Sequence, residues 1–379
     1  MDNPQARIVS LSLKDFRNFE RLEMEFPARG FVVVGENGQG KTNLLEAAYY
    51  LSLLRSARGA RDTDVTRFGA SGFFIEANLC APDAHQLSVG FDRAGRRKRV
   101  RRDGAVLDRL SDALGTLPAV MFTPGDVEIV AGAASARRRF LDIMLALSSR
   151  GYLHALQQYR GALERRNAAL REAARSGTSG TSGASGSSAA IEVWEAPLAE
   201  QGARIVRARR AWVKQVAERF AERCARIGER GEIVLRYETA VAANAESVEL
   251  ALEEAIAARR ASDLRYGLTQ VGPHRDDLTM LLAGRELRAF GSAGQQRTAA
   301  IALRTLEAET LRDARGASPV FLLDDPFAEL DARRATRVLS LLNEIGVGQT
   351  VLAVPRDSDI PAELTDLPRF RVEAGTITP

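Results

Sequence analysis

Three features of this 379-residue sequence predict an α/β fold with a β-rich subdomain and an inserted antiparallel helical arm. The apolar run Phe31-Val32-Val33-Val34 breaks into the glycine-rich "GENGQGKT" and then into "NLLEAAYYLSLL", which has a helical period. A second apolar run, Val320-Phe321-Leu322-Leu323, ends in paired carboxylates, Asp324 and Asp325. Between the two lies a long, glycine-poor helical segment interrupted by a low-complexity Gly/Ser tract.

The β-rich character of the first 130 residues comes from short runs at 8–13, 73–79, 87–91 and 119–122. From Ser135 the texture becomes helical. Phe140, Leu141, Met144, Leu145 and Leu147 share one face, and Leu153, Leu156, Tyr159, Leu163, Asn167 and Leu170 continue at helical spacing. The tract "SGTSGTSGASGSSAA" at 176–190 cannot form a core and reads as the flexible tip of the arm, because a second helical stretch returns after it. A short β-like run, "EIVLRYET", and a helix over 248–260 precede the return of α/β texture near Tyr266. The expected division is therefore 1–134 for the N-terminal half of the head, 135–265 for the arm and 266–379 for the C-terminal half.

Composition limits the function classes. A hydrophobic content of 45% is enough to fill the cores of a globular chain, and no apolar run approaches the roughly 20 residues of a bilayer span. The start "MDNPQARIVSLSLKDF" lacks the apolar core of a signal peptide, so a cytoplasmic protein with no membrane partner is expected. Cys80 and Cys224 are too few and too far apart for a disulfide framework or metal site and read as reduced thiols. The net charge is only +4, but "RAGRRKRVRRDG" at 93–104 concentrates seven cations. Such a run is either a solvated edge strand or a phosphate-contact surface, with Arg96, Arg97, Lys98, Arg99, Arg101 and Arg102 as the candidate DNA contacts.

The chemistry lies in the spacing. Gly35, Gly40, Lys41 and Thr42 match the phosphate-loop pattern, in which small residues let backbone N–H groups close on phosphates. Glu36, Asn37, Gly38, Gln39 and Asn43 complete the cradle. Lys41 is expected to reach the β/γ oxygens of ATP, and Thr42 to ligate Mg²⁺. Asp324, at the carboxyl end of its strand, is the metal-side carboxylate, and Asp325 is the candidate for polarising an attacking water. Ser292, Gly294 and Gln295 open an amphipathic helix just before the acidic strand, and a Ser-x-Gly turn at a helix N-terminus suits an anion. Arg55 and Arg58 are candidates for phosphate pairing, for the DNA side or for a solvated helix end. Asp331 reads as a helix N-cap. "GPHRDDL", at 272–278, reads as a turn before a strand, with no independent chemistry for His274.

This order of motifs resembles the ABC-type ATPases of the SMC-like group. More narrowly, "LKDFRNF", "RRRFLD", "LERRNAAL", "VGPHRDDL", "GSAGQQRTAAIALR" and "LLDDPFAELDARR" resemble the RecF family of bacterial recombination-mediator ATPases over nearly the whole length. The resemblance implies an ABC-type P-loop ATPase head and an ATP-dependent homodimer in which each Ser292 caps the γ-phosphate of the other chain's nucleotide. It also implies that Asp331 lies in an interface loop reporting the nucleotide state. Binding to DNA at single-/double-strand junctions and gapped duplex is implied, as is slow hydrolysis. So is cooperation with RecR in helping RecA replace single-strand-binding protein. Ala293 and Gly125 depart from the family pattern, where a longer residue and an acid are usual. Two other classes share parts of the pattern: the ATPase subunit of a membrane transporter, and a nucleotide-dependent DNA clamp that does not hydrolyse.

Overall fold

Alternation in "RIVSLSLKDF" turns Leu11 and Leu13 inward along strand β1, Arg7–Phe16, and Ile8, beyond a register shift at 8–10, and Phe16 at the strand's end are buried as well. This is the second strand of an antiparallel sheet of order β2-β1-β4-β5-β6-β7. The others are β2 (Phe19–Glu25), β4 (Gly72–Cys80), β5 (Ala84–Asp92), β6 (Arg97–Arg102) and β7 (Ala105–Val106). The structure, a computed structural model, describes residues 4–80, 83–178, 189–241, 247–327, 330, 332–346 and 348–379. Contacts divide the chain into two units, the first comprising Met1–Val127, Arg223–Arg230 and Ala293–Pro379, the second Glu128–Glu222 and Gly231–Ser292.

A second sheet of the first unit has the order β15-β14-β3-β13-β12-β8. Its strands are β3 (Gly30–Val34), β8 (Ala119–Phe122), β12 (Val320–Asp324), β13 (Thr350–Val354), β14 (Arg369–Glu373) and β15 (Thr376–Thr378). All pairs are parallel except β14 with β15. Every residue of β3, β8, β12 and β13 is buried, which explains why these strands read as continuous apolar runs. Only glycine fits at Gly30, where a Cβ would stand 1.7 Å from the Thr350 carbonyl oxygen. β13 separates β3 from β12, pairing Val34 with Val354 and Asp324 with Ala353. The loops after β3 and β12 therefore open at the same carboxyl edge, about 10 Å apart. The helices of this unit include α1 (Lys41–Leu53), the one-turn α2 (Asp62–Val65), α9 (Ala293–Arg315) and α10 (Ala332–Ile345).

The second unit contains the one-turn α3 (Glu128–Ala131), α4 (Ala134–Ser148), α5 (Arg150–Thr178), most of α6 (Glu195–Ile227), α7 (Val248–Tyr266), the one-turn α8 (Leu287–Phe290) and the sheet β11-β10-β9. The sheet strands are β9 (Ile233–Glu238), β10 (Asp277–Leu282) and β11 (Arg285–Glu286). Arg166 contacts Glu195, Tyr159 faces Gly202, and Tyr152 contacts Arg209. These partners step seven residues down α5 and seven up α6, the signature of an antiparallel helix pair. Residues 179–188, most of the Gly/Ser tract, lie outside the described residues. The second unit continues to Ser292 rather than closing at 265. β10 ladders onto β9 from Asp277↔Glu238 to Leu282↔Ile233, and Arg137 grips Asp277 through two bonds of 2.7 and 2.8 Å. Cys80 and Cys224 are free thiols, and burial pushes the Cys224 thiol up.

The family-specific motifs meet inside this second unit as buried polar networks. Arg166 bonds Asp263, Thr269 and Glu195 at 2.7, 2.8 and 2.9 Å, and Asn167 accepts both the N–H and the hydroxyl of Thr269. Arg209 joins Asp142, the Pro273 carbonyl, Tyr152 and Tyr237. Leaving one partner of such a pair uncompensated costs on the order of 3–5 kcal/mol, so these networks help hold the unit together. His274 is part of this core: Tyr159 Oη lies 2.6 Å from Nδ1, and Nε2 lies 2.9 Å from the Thr269 carbonyl. That carbonyl only accepts, so Nε2 carries the proton and Nδ1 accepts from Tyr159.

Burial, with Arg275 and Arg138 nearby, lowers the His274 pKa to about 4. The unfolded chain therefore binds a proton that the folded chain rejects between about pH 6.5 and 4. Acidification across that window is expected to cost up to about 3 kcal/mol through this residue. Urea midpoints of wild type and His274→Gln, compared from pH 7 to 4.5, should show the steeper loss in wild type. Parallel curves would remove His274 from the stability balance.

Candidate active site

The phosphate loop is the turn between β3 and α1, and its geometry follows from its glycines. Gly38 and Gly40 have φ of +87° and +123°, and a Cβ on Gly40 would stand 2.6 Å from Asn18 Nδ2. Lys41 Nζ donates to the carbonyls of Gly35 and Glu36, the latter at 2.9 Å, so the ammonium already lies against the loop. Thr42 Oγ1 donates to Asp324 Oδ1 at 3.1 Å. Lys41, Thr42 and Asn43 thus share with Asp324 and Asp325 a cavity of about 350 Å³, which Asn37, Gly38, Gly40 and Arg58 also line. A second cavity of about 730 Å³ runs along Gly35, Glu36, Asn37 and Gln39 toward Arg356 and Arg371.

The electrostatics suit an anion held beside a hard cation. Burial lowers the Lys41 pKa against the raising fields of Asp324 and Asp325. It raises the Asp324 pKa, opposed by the Thr42 hydrogen bond and by Arg58 and Lys41. Asp325 is raised by burial and then by Asp359, and its φ of 45° is rare for a non-glycine residue. Such a backbone conformation is typically held in place by surrounding structure at functional sites. The Thr42 hydroxyl and Asp324 carboxylate fit Mg²⁺, which prefers oxygen ligands and retains waters.

The other sequence-predicted residues are placed as follows. Ser292 is exposed immediately before α9, and Gly294 and Gln295 are half-buried in its first turn. Arg58 lines the phosphate-loop cavity and lies 4.0 Å from Glu46, whereas Arg55 is an exposed residue just past α1. Asp331 lies outside the described residues. A Cβ at Gly125 would make only an ordinary 3.6 Å contact with Thr123 Oγ1, so the departure there is not forced by crowding at that atom. In the cationic run, Arg96 precedes β6 with φ of 47°, and Arg97, Arg99 and Arg101 lie exposed on one face of it. Lys98 and Arg102 alternate to the other face. Lys98 bonds Asp62 at 2.8 Å and the Leu54 carbonyl at 2.7 Å, and its Nζ lies 5.1 Å from the Tyr50 ring centroid. Arg102 reaches the Asp112 carbonyl. These two are spent on internal contacts, which weakens them as DNA contacts.

Residue-level reading missed several residues that brace the elements around the site. Asn18 Nδ2 donates to the Gln39 carbonyl at 2.9 Å and its Oδ1 accepts from Asn43, so "FRNF" braces the phosphate loop from β1–β2. Arg297, 3% exposed, donates to the carbonyls of Thr123, Pro124 and Pro326 and ties α9 to the ends of β8 and β12. Arg304, seven residues further along α9, pairs with Asp126 and Glu307. Arg334 stands beside Thr298 and Glu229 at the start of α9. The available signal was an arginine at each of these helix positions on an otherwise buried face.

A parallel sheet with a phosphate loop, an acidic strand two positions away and an attached antiparallel sheet defines an ABC-type P-loop ATPase head. Residues 7–358 match the model of the RecF/RecN/SMC N terminal domain. The "DNA replication and repair protein RecF" of Geobacter sulfurreducens is 34% identical over 98% of this chain and 99% of its own length. Its namesake from Anaeromyxobacter sp. (strain Fw109-5) is 36% identical over 98% and 99%. A solved structure of the recombination mediator protein RecF-ATP in the RecFOR pathway superposes with a TM-score of 0.88 at 27% identity, covering 99% of this chain and 98% of that one. The chain belongs to the RecF family.

Proposed function

We propose that this protein is an ATP-dependent DNA-binding switch of recombinational repair and replication-gap processing. ATP joins two copies, the dimer binds single-/double-strand junctions of gapped DNA, and slow, DNA-dependent hydrolysis releases it. With a RecR-like mediator, the bound dimer promotes RecA loading on gaps coated by single-strand-binding protein. The observation that carries this reading is the 3.1 Å bond between Thr42 of the phosphate loop and Asp324 of the acidic strand, which joins both halves of a nucleotide-phosphate site.

In this mechanism Lys41 leaves the loop carbonyls for the β/γ oxygens, which replace them as acceptors for its charge. Thr42 and Asp324 would hold Mg²⁺, which supplies neutralisation of the phosphate charge. Asp325, its carboxyl raised by burial, orients and polarises the attacking water. Ser292 and the first N–H groups of α9 face the other chain's γ-phosphate, so loss of that phosphate loosens the dimer. Steady-state phosphate release with and without gapped duplex tests the reading. Stimulation by DNA supports the switch, and release at the buffer blank under both conditions leaves the clamp that does not hydrolyse. Among the described residues no helix is long and apolar enough to cross a membrane.

The exposed cations of β6 supply the electrostatic part of DNA binding. Neutralising Arg97, Arg99 and Arg101 together is expected to weaken binding for all sequences alike. The slope of log affinity against log salt should flatten by up to about three units. An unchanged slope in filter binding from 50 to 250 mM salt, concentrations on the order of those at which phosphate contacts are read, would make the run a solvated edge.

A further inference from the structure

On the solvent face of the antiparallel sheet, cross-strand register aligns Arg21, Lys14, Phe74, Gly90 and Arg99 in one row across β2, β1, β4, β5 and β6. Phe74 is 37% exposed in a strand whose other aromatic, Phe73, points into the core. Gly90 has no side chain to cover the ring: Phe74 Cδ2 lies 3.6 Å from where its Cβ would be. Lys14, Phe74, Gly90, Arg97 and Arg99 line a concavity of about 530 Å³, within the range of roughly 300–1,000 Å³ of small-ligand sites. Two acids at its rim are already engaged, Asp15 near Arg67 at 3.7 Å and Asp92 with the Gly95 N–H at 2.7 Å. None of Lys14, Arg97 and Arg99 has an ion-pair partner among the described residues.

We propose that this row is a stacking site for unpaired bases, with Phe74 as the platform and Lys14 and Arg99 as phosphate contacts on either side, so that the sheet face takes the single-stranded flank of a junction. The inference rests on the DNA-binding reading above and adds to it a site and a strand preference. Its physical basis is that cations attract either form of DNA, whereas an exposed aromatic ring flanked by cations gains from a base only when that base is unstacked. A paired duplex hides its base faces and leaves Phe74 without a partner.

The test uses the full-length protein with ATP, a single-stranded oligonucleotide and a blunt duplex of equal length. Phe74→Ala and Phe74→Leu are each expected to weaken single-strand binding by at least about fivefold, with duplex binding changed less than about twofold. Phe74→Trp should restore the affinity, and its added fluorescence should be quenched by single strand and not by duplex. Retained ATP binding in each variant reports an intact head. Unchanged single-strand affinity in Phe74→Ala, or an equal loss on both DNA forms, overturns the stacking site while leaving the DNA-binding reading in place. A wild-type protein that binds neither form overturns both.

Discussion

Lys41→Met is expected to lower ATP hydrolysis by at least about a hundredfold and to remove ATP-dependent dimerisation, with the fold intact. Lys41 is 7% exposed, and its ammonium is held at the mouth of the loop by two carbonyls. Methionine keeps the length and the packing of the stem but loses the charge proposed to meet the β/γ oxygens. Burial already lowers the Lys41 pKa, so neutralising this side chain removes a desolvation penalty and should not unfold the head. The consequence belongs to function, read by phosphate release and sedimentation beside a thermal melt. Hydrolysis at the wild-type rate by well-folded Lys41→Met would discard the loop as the phosphate site.

Ser292→Arg is expected to leave ATP binding to the monomer but to abolish dimerisation and hydrolysis. Ser292 is exposed at the start of α9, so a longer side chain is tolerated within one copy. In the composite arrangement, however, it would fill the space reserved for the other copy's γ-phosphate. Mixing Ser292→Arg with Lys41→Met chains offers a complementary readout, because the heterodimer contains one fully lined site and one doubly damaged site. Partial recovery of phosphate release in the mixture is the expected result. Normal hydrolysis by Ser292→Arg as a monomer would contradict the composite site and the ATP-gated clamp with it.

The phosphate loop and acidic strand were legible because their chemistry demands contiguous residues. A strand, a glycine turn and a helix place Lys41 and Thr42, and an apolar strand delivers Asp324. The arm was legible from helical period, since α5 and α6 bury one face each. What sequence did not reveal is long-range polar pairing. Arg209 is an arginine in a basic helix until the fold brings Asp142, Tyr152 and Pro273 to it. The extension of the second unit to Ser292 has the same origin, because the Arg137–Asp277 pair spans 140 positions. The inward turn of Lys98 was in principle readable. Val100 is the only apolar residue of β6, and strand alternation puts Lys98 and Arg102 on its buried side.

Sedimentation of the wild-type protein with ATP, ADP or no nucleotide, each with and without gapped duplex, tests the ATP-gated switch most directly. A species of twice the 41.2 kDa chain mass should appear with ATP alone, and only that species should carry the DNA. A single mass under all three nucleotide conditions, with DNA bound equally in each, would contradict it.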